Sequence, residues 1–519
     1  MNLATMFEFA VERYPSRIAV VEEEKRYTYN QLNKEITKVA SSLQRMGIKQ
    51  HDRVIVVLKN RLENIIIYWA VQKLGAVYTP INHRLSAKEV EYCVNDAESK
   101  AVVYENASQD AVLHANFQEK PILIGLGAVE GADIYYDELV DRSPGGFDKP
   151  VIHEEDIALM LYTSGTTGMP KGVPRSHKNE YSAAIAHIVQ NQYTDQESTL
   201  GTMPLYHTMG MRSLLSIAFL NGKYVVLPDF DARDALELLS SEEISSLYLV
   251  PTLYHDILSH HDFHSYHLGK LRKIGYAGAS MTTALTEKCV ELLKPQVFVN
   301  HYGSTEIYTF TICPYVHQKP GCAGKPGLNQ NIRLVKADAE AKSLPDDIVG
   351  KGEIGEIIVN LDSIEAFKGY WNKPNATQKA IREGWYFTGD LGVIDDEGDL
   401  FVVGRVDDMI ISGGENIHPL EVEDVLSKHP KVSEVAVVGE EDERWGQIVS
   451  AFIVPIDPSI TFQELDEYCK SHPKLSNFKR PRNYVFLKQI PKSPVGKILR
   501  RKIRDGEVEL YSGENQIVG

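Results

Sequence analysis

The sequence predicts an α/β protein with a smaller unit at its C-terminal end, and three observations carry that prediction. Up to about residue 400, apolar strand-like runs alternate with longer amphipathic segments, the pattern of layered sheets with at least partly parallel strands. At 519 residues the chain exceeds what one hydrophobic core usually serves. After GDLFVVGRVDDMIISGGENIHP the pattern changes to shorter strands and helices.

In order, MNLATMFEFAVERYPSR reads as a first helix, because Glu8 and Glu12 interrupt its apolar residues and no cationic leader precedes them. RVIVVLKN reads as a strand, NIIIYWAVQKLGA as a helix and VYTPIN as the next strand. KAVVYE, KYVVLPD, SLYLVP and KIGYAGAS continue the series. In the smaller unit, PLEVEDVLSKH is a helix opened by Pro419 in its first turn. SEVAVVG and IVSAFIVP follow as strands, TFQELDEYCKSH as a helix and NYVFL as a strand before a basic tail. The boundary falls within Arg405 to Asp408, dividing the chain into 1–406 and 407–519. The sequence holds neither an internal repeat nor a low-complexity segment.

Composition narrows the function. With 43% hydrophobic and 24% charged residues the chain is of ordinary globular type. A net charge of −16 argues against nucleic acid as the main partner, since phosphate backbones require a basic surface. No apolar run reaches the roughly 18 to 20 residues that span a bilayer. The five cysteines, Cys93, Cys289, Cys313, Cys322 and Cys469, are scattered without a CxxC pair, which fits reduced thiols and argues against a disulfide framework or zinc ribbon. A soluble, cytoplasmic protein is expected. HHDFHSYH sets His260, His264 and His267 at helical spacing, but its polar surroundings argue against a metal site.

The stretch YTSGTTGMPKG points to phosphate. Glycine lets backbone N–H groups converge on an anion, hydroxyls add short donors and a lysine adds charge. Thr163, Ser164, Gly165, Thr166, Thr167 and Gly168 therefore form a candidate cradle with Lys171, after the strand-like IALMLY. The common P-loop is excluded, because its second glycine would fall at Pro170.

Four more stretches join this one in order: NHYGSTE at 300–306, YFTGD at 386–390, GRVDDMIISGGEN at 404–416 and PVGKILRR at 494–501. Together the five resemble the signatures of the acyl-adenylate-forming superfamily of acyl-CoA synthetases, peptide-synthetase adenylation domains and luciferases. MPLYH, RWGQ and NFKRP are most similar to the aryl- and acyl-CoA ligases, the 4-chlorobenzoate–CoA ligases among them. The resemblance implies a large N-terminal domain of two α/β-layered sheets plus a small β-barrel, and a mobile α+β C-terminal domain. It implies a two-step ligase: acid and ATP give acyl-AMP and pyrophosphate, then CoA displaces AMP to give the thioester.

The same resemblance implies roles for individual residues. Lys497 is the catalytic lysine between carboxylate and α-phosphate. Glu306 positions Mg²⁺, with Thr166 as a second metal candidate. Asp390 and Arg405 hold the ribose. Gly278, Ala279 and Ser280 form a wall beside adenine, Tyr302 stacks on it, and Gly303, Ser304 and Thr305 complete the nucleotide site. His207 gates the acid pocket and contacts the acyl carboxylate. Gly413 and Gly414 form the pantetheine passage, while Phe478, Arg480, Trp445 and Arg84 are CoA candidates. Asp407 is the hinge.

The expected partners are a small carboxylic acid, ATP and CoA, with Mg²⁺ as cofactor, and the chain is expected to act alone or as a homodimer. Alternatives are an adenylating enzyme that loads a carrier protein, or a long-chain fatty acid–CoA ligase. The carrier reading is weakened by Tyr206 and His207, where an amino-acid-activating domain would place Asp. A noncatalytic nucleotide binder would not be expected to keep Lys171, Glu306, Asp390, Arg405 and Lys497 together. The acid pocket is expected among Tyr181, His207, Thr208, Met209, Tyr276, Gly303, Ile307, Tyr308 and Thr309. The bulk of Ile307, Tyr308 and Thr309 favours an aryl or short- to medium-chain acid and argues against a halobenzoate.

Overall fold

The computed structural model describes residues 1–141, 143, 146–163, 169–337, 343–413, 415–473, 475–493, 496 and 498–511. Two large sheets dominate. One has seven strands in the order Ile134–Tyr135, Ile122–Leu126, Ala101–Glu105, Arg53–Val57, Val77–Pro80, Ile157–Thr163 and Lys171–Ser176. All its neighbours run parallel except the last pair. The other has nine, with a parallel centre formed by Val297–Tyr302, Lys273–Tyr276, Ser246–Leu249, Ser198–Gly201, Lys223–Val226 and Ile18–Glu22. Its edges, Lys25–Thr28 and the pair Thr311–Cys313 and Lys325–Pro326, are antiparallel.

Two helices explain how these sheets share a core. Leu62–Lys73 is buried on almost every face and Thr208–Phe219 is buried throughout, as expected of helices covered on all sides. Their side chains join Val54 and Val56 of one sheet to Val20, Tyr224 and Val226 of the other in a single apolar cluster. Every strand and helix named from the sequence up to KIGYAGAS is present, with boundaries shifted by a few residues.

The small β-barrel expected next stands as a five-stranded antiparallel sheet. Ile332–Val335, Gly355–Asn360, Trp385–Ile394 and Ile381–Arg382 lie in that order, and Leu400–Arg405 pairs with Trp385–Ile394. A bridge between Gly324 and Leu400 ties it to the nine-stranded sheet. After a short 3-10 turn at Val406–Asp408 the chain enters a second five-stranded sheet, Glu415–Ile417, Ile410–Ser412, Gly446–Pro455 and Val432–Asp442, with Asn483–Phe486 parallel to Gly446–Pro455. Helices Pro419–Leu426 and Phe462–Ser471 pack here, the first opened by its N-terminal proline. Among the described residues, no apolar cluster draws buried members from both sides of the Val406–Asp408 turn.

The histidine-rich stretch departs from its expected spacing. Helix Pro251–Ser259 stops before His260, and a 3-10 turn at Phe263–Ser265 follows, so His260, His264 and His267 share no helix face. All five cysteines are buried and unpaired.

Candidate active site

The site candidates gather where parallel strands end, the edge at which open α/β sheets usually bind ligands. Ser246–Leu249, Lys273–Tyr276 and Val297–Tyr302 run side by side in one direction, so Val250, Gly278 and Gly303 emerge along one edge. Gly278 has φ +84°, a left-handed turn that glycine adopts without strain. The next residue, Ala279, is half-buried and Ser280 is exposed. Gly303 is required for a different reason: a Cβ there would lie 2.0 Å from the carbonyl oxygen of Tyr308. That closeness belongs to a tight turn in which the Ser304 N–H donates to the Ile307 carbonyl at 3.1 Å, with Thr305 at its bend.

The turn holds Glu306 in place. Its Oε1 accepts a 2.6 Å hydrogen bond from the Tyr370 hydroxyl, and its backbone carbonyl accepts from Arg175 at 3.0 Å. Burial, reinforced by the Glu306 carboxylate, pushes the Tyr370 phenol far above its ordinary value, so it stays a donor. Arg175 is fully buried and paired with Glu180 at 2.7 Å. Lys171 lies opposite Thr163 in the strand pair Ile157–Thr163 and Lys171–Ser176, its ammonium 4.3 Å from the centre of the Tyr370 ring. Burial lowers the Lys171 pKa, an effect Glu306 opposes. The tip of this hairpin, Ser164, Gly165, Thr166, Thr167 and Gly168, lies outside the described residues.

Asp390 forms a second centre. Its Oδ2 accepts from the Tyr302 hydroxyl and its Oδ1 from Arg405 Nη1, each at 2.7 Å. Asp390 and Arg405 face each other across paired strands, which fixes the ion pair through the backbone. The preceding Gly389, at φ +72°, leaves room for the guanidinium; a Cβ would sit 3.0 Å from Arg405 Nη2. Aromatic contacts link the two centres: Tyr302 to Phe310, Phe310 to Tyr386, Tyr386 to Phe367 and Phe367 to Tyr370, with ring centroids 5.1 to 6.2 Å apart. His207 caps helix Thr208–Phe219, its Nδ1 accepting from the Met209 N–H at 3.3 Å.

The CoA candidates are less closely gathered. Gly413 occupies an exposed turn at φ +60°, and a Cβ there would strike the Trp445 ring at 2.7 Å. Trp445 and Phe478 are both about half exposed, at 46% and 45%. Arg480 is ion-paired with Asp466, and its neighbour Lys479 with Glu421, so both charges are already matched within the C-terminal unit. Arg84 is exposed on the other side of the Val406–Asp408 turn, close enough to Tyr206 to lower the pull of burial on that phenol. Among the described residues no hydrogen bond or ion pair joins Arg84 to Trp445, Phe478 or Arg480. Asp407 is exposed, whereas Asp408 beside it is tied to Arg504 at 3.3 Å and Arg500 at 3.8 Å.

Gly414 and Lys497 lie outside the described residues, but the neighbours of Lys497 are informative. Lys492 and Ile498 form an isolated bridge, and Gly496 between them packs on the large unit. A Cβ on Gly496 would lie 3.0 Å from Thr252 Oγ1 and 3.9 Å from Val250 Cγ2. Gly496 thus rests on the edge that also carries Gly278 and Gly303.

Two family models match the chain. Residues 7–371 match the model of the AMP-binding enzyme family, and residues 421–497 that of the AMP-binding enzyme C-terminal domain. The chain belongs to the AMP-binding enzyme family. It is 33% identical to the long-chain-fatty-acid–CoA ligase FadD13 of Mycobacterium tuberculosis, over 92% of this chain and 93% of that one. To the 4-chlorobenzoate–CoA ligase of an Arthrobacter species it is 31% identical, over 97% and 95%. Its fold matches the O-succinylbenzoate coenzyme A synthetase of Bacillus subtilis, solved with ATP and magnesium, with a TM-score of 0.83, 27% identity and 96% and 99% coverage. Among the described residues no helix is long and apolar enough to cross a membrane.

Sequence reasoning missed Tyr370, Arg175, Glu180 and Arg212. Tyr370 left a faint trace as an aromatic pair beside glycine in FKGYW. Arg212 left a clearer one, as the sole charge in the apolar helix TMGMRSLLSIAF.

Proposed function

We propose that this protein is an ATP-dependent carboxylate–CoA ligase that activates its acid as an acyl-adenylate and transfers it to the CoA thiol. The observation that carries this reading is the linked pair of centres: Glu306 with Lys171 and Tyr370 on one side, Asp390 with Arg405 and Tyr302 on the other. One suits a metal-bound polyphosphate, and the other suits a ribose, whose two hydroxyls a carboxylate can accept.

Joining a carboxylate to a phosphate brings two anions together, so fixed positive charge is the main requirement. In this reading Lys171, held beside Glu306, faces the β- and γ-phosphates. Lys497 approaches the α-phosphate and the acid on the segment seated against Thr252. Glu306 has its Oε1 held by Tyr370, a carboxylate of the hard-oxygen type that Mg²⁺ takes singly beside phosphate oxygens and water. When bound, Mg²⁺ would supply charge neutralisation on the leaving pyrophosphate. His207, at the N-terminus of a buried helix, orients the acid.

The boundary in this proposal lies at 406/407, with the C-terminal unit turning about Asp407 so that Gly413 and Gly414 replace Lys497 at the site. The acid is aryl or short- to medium-chain, because Ile307, Tyr308 and Thr309 are fully buried and leave little depth for a long chain. The test is a panel of carboxylic acids scored for pyrophosphate release with and without CoA. Acid-dependent release, with thioester formed only when CoA is present, is expected. Release unaffected by any acid would refute the ligase reading, and acyl transfer to a carrier protein in preference to CoA would refute the acceptor.

A further inference from the structure

Arg212 is a buried cation without a carboxylate. It lies on helix Thr208–Phe219, one and a half turns beyond His207, and is 2% exposed. Its Nη1 donates to Thr309 Oγ1 and its Nη2 to the Tyr248 hydroxyl, both neutral groups, and its Nε has no partner. Among the described residues no carboxylate lies within ion-pair distance of it. Glu365, whose carboxyl burial pushes up and the Arg212 charge pulls back, gives its Oε1 to Asn329 at 2.9 Å and keeps its Oε2 buried without a partner, beyond ion-pair distance of the guanidinium. Glu180 is taken by Arg175 and by the Tyr308 hydroxyl.

The surroundings are polar as well as buried. His187 and His301 lie 5.0 Å apart, each within 5.1 Å of the Tyr248 ring. Asn191 bridges them, at 3.1 Å from each. His187 Nε2, His301 Nδ1 and the Tyr276 hydroxyl have no partner. Burial first, and the Arg212 charge second, hold His187 well below its ordinary pKa and do the same for His301, so neither offsets or adds to the guanidinium charge. Unpaired buried charge is costly, and a protein keeps it where something else supplies the counter-charge.

We infer that Arg212, with Thr309 and Tyr248, recognises a second anionic group on the acid substrate, which makes the preferred substrate a dicarboxylic acid. This deepens the ligase reading and rests on it. Thr208, Met209, Tyr276, Tyr308 and Thr309 are among the residues from which the acid pocket was expected to be built, and Arg212 touches Thr309 directly. The helix rise between His207 and Arg212, about 7.5 Å for five residues, gives only the scale of the distance between the reacting carboxylate and the distal one, since the two side chains leave the helix about 140° apart. Six-carbon α,ω-diacids and para-substituted benzene dicarboxylates span that distance; the distal group stays ionised, since the guanidinium does not lose its proton.

The test compares acids that differ only in the distal group: hexanedioic against hexanoic, and terephthalic against 4-methylbenzoic, each scored by pyrophosphate release in the presence of CoA. Wild-type enzyme is expected to favour the diacid of a pair by about 10² or more in kcat/KM, the scale on which a site built for a polar group rejects an analogue lacking it. Arg212→Met should collapse that ratio, and Arg212→Lys should restore part of it. Wild-type enzyme that prefers the monoacid in both pairs overturns the inference while leaving the ligase reading intact, and it needs no variant. A ratio unchanged in folded Arg212→Met would likewise make Arg212 structural. No release with any acid would overturn both readings.

Discussion

The Tyr370 hydroxyl donates to Glu306 Oε1 at 2.6 Å while its ring supports the Lys171 ammonium at 4.3 Å. One side chain thus positions both the acid proposed to hold Mg²⁺ and the base proposed to meet the polyphosphate. Removing only the hydroxyl separates these roles. Tyr370→Phe keeps the ring beneath Lys171 and frees the carboxylate, so the Mg²⁺ concentration for half-maximal adenylation should rise by about 10- to 100-fold, as for other outer-shell partners of metal ligands. Titration of pyrophosphate release against Mg²⁺ checks this. An unchanged midpoint would mean that Glu306 holds its position without Tyr370.

Asp390 is held from two sides, so its neutralisation should affect ATP and stability together. Asp390→Asn removes the counter-charge of Arg405, whose high pKa burial opposes and Asp390 sustains. Leaving such a partly buried cation unpaired costs up to about 3 kcal/mol. We expect a lower Tm and a KM for ATP raised about 10-fold or more, with the KM for the acid little altered. A KM for ATP equal to that of wild type would remove Asp390 from the nucleotide site.

Much of this arrangement was legible in the sequence. Alternating apolar runs revealed the parallel strands, and the change of pattern after residue 400 revealed the second sheet. Glu306, Asp390 and Arg405 were singled out because NHYGSTE, YFTGD and GRVDD resemble the signatures of the acyl-adenylate-forming superfamily. Their partners were not legible, because Tyr370 and Tyr302 reach Glu306 and Asp390 from residues 64 and 88 positions away, and only the folded chain brings them together. The matched charges of Lys479 and Arg480 were hidden similarly: a basic cluster reads as free until Glu421 and Asp466 pack against it. The helical spacing of His260, His264 and His267 is not realised because the helix stops at Ser259.

Gly413 should matter to the second step alone. At φ +60° and with the Trp445 ring 2.7 Å from where a Cβ would lie, Gly413→Val must distort the turn. Acid-dependent ATP–pyrophosphate exchange should persist near the wild-type rate, and thioester formation should fall by at least about 10-fold. Loss of exchange in a folded variant would place this turn in the adenylation site instead.

Lys497 should show the reverse pattern. Lys497→Ala removes one fixed charge from the step that joins two anions, and adenylation should fall by about 10² or more, the scale of one preorganised electrostatic contact. Conversion of supplied acyl-AMP to thioester should be much less affected. Equal losses in both half-reactions would count against the assignment.

The contact between Gly496 and Thr252 bears on the order of these steps. It sets Gly496 on the same edge as Gly278 and Gly303, while Gly413 lies in an exposed turn, the disposition that the proposed adenylation step would need. In the proposed reading thioester formation needs the C-terminal unit to turn, and Val406–Asp408 suits a pivot, because among the described residues no apolar cluster draws buried members from both sides of it. Asp408 is anchored by Arg500 and Arg504, which leaves Asp407, exposed in the 3-10 turn, to absorb the backbone change. Asp407→Pro fits the φ of such a turn, near −60°, and prevents that φ from changing, although it also crowds Val406. The variant should therefore be held in the adenylating arrangement. Single-turnover measurements should find acyl-AMP formed at nearly the wild-type rate and its conversion to thioester slowed by at least about 10²-fold, since hinge positions control such closures from a distance. Wild-type conversion of acyl-AMP by Asp407→Pro would show that the pivot lies elsewhere, and slowing of both steps alike would show that the proline disturbs the turn itself.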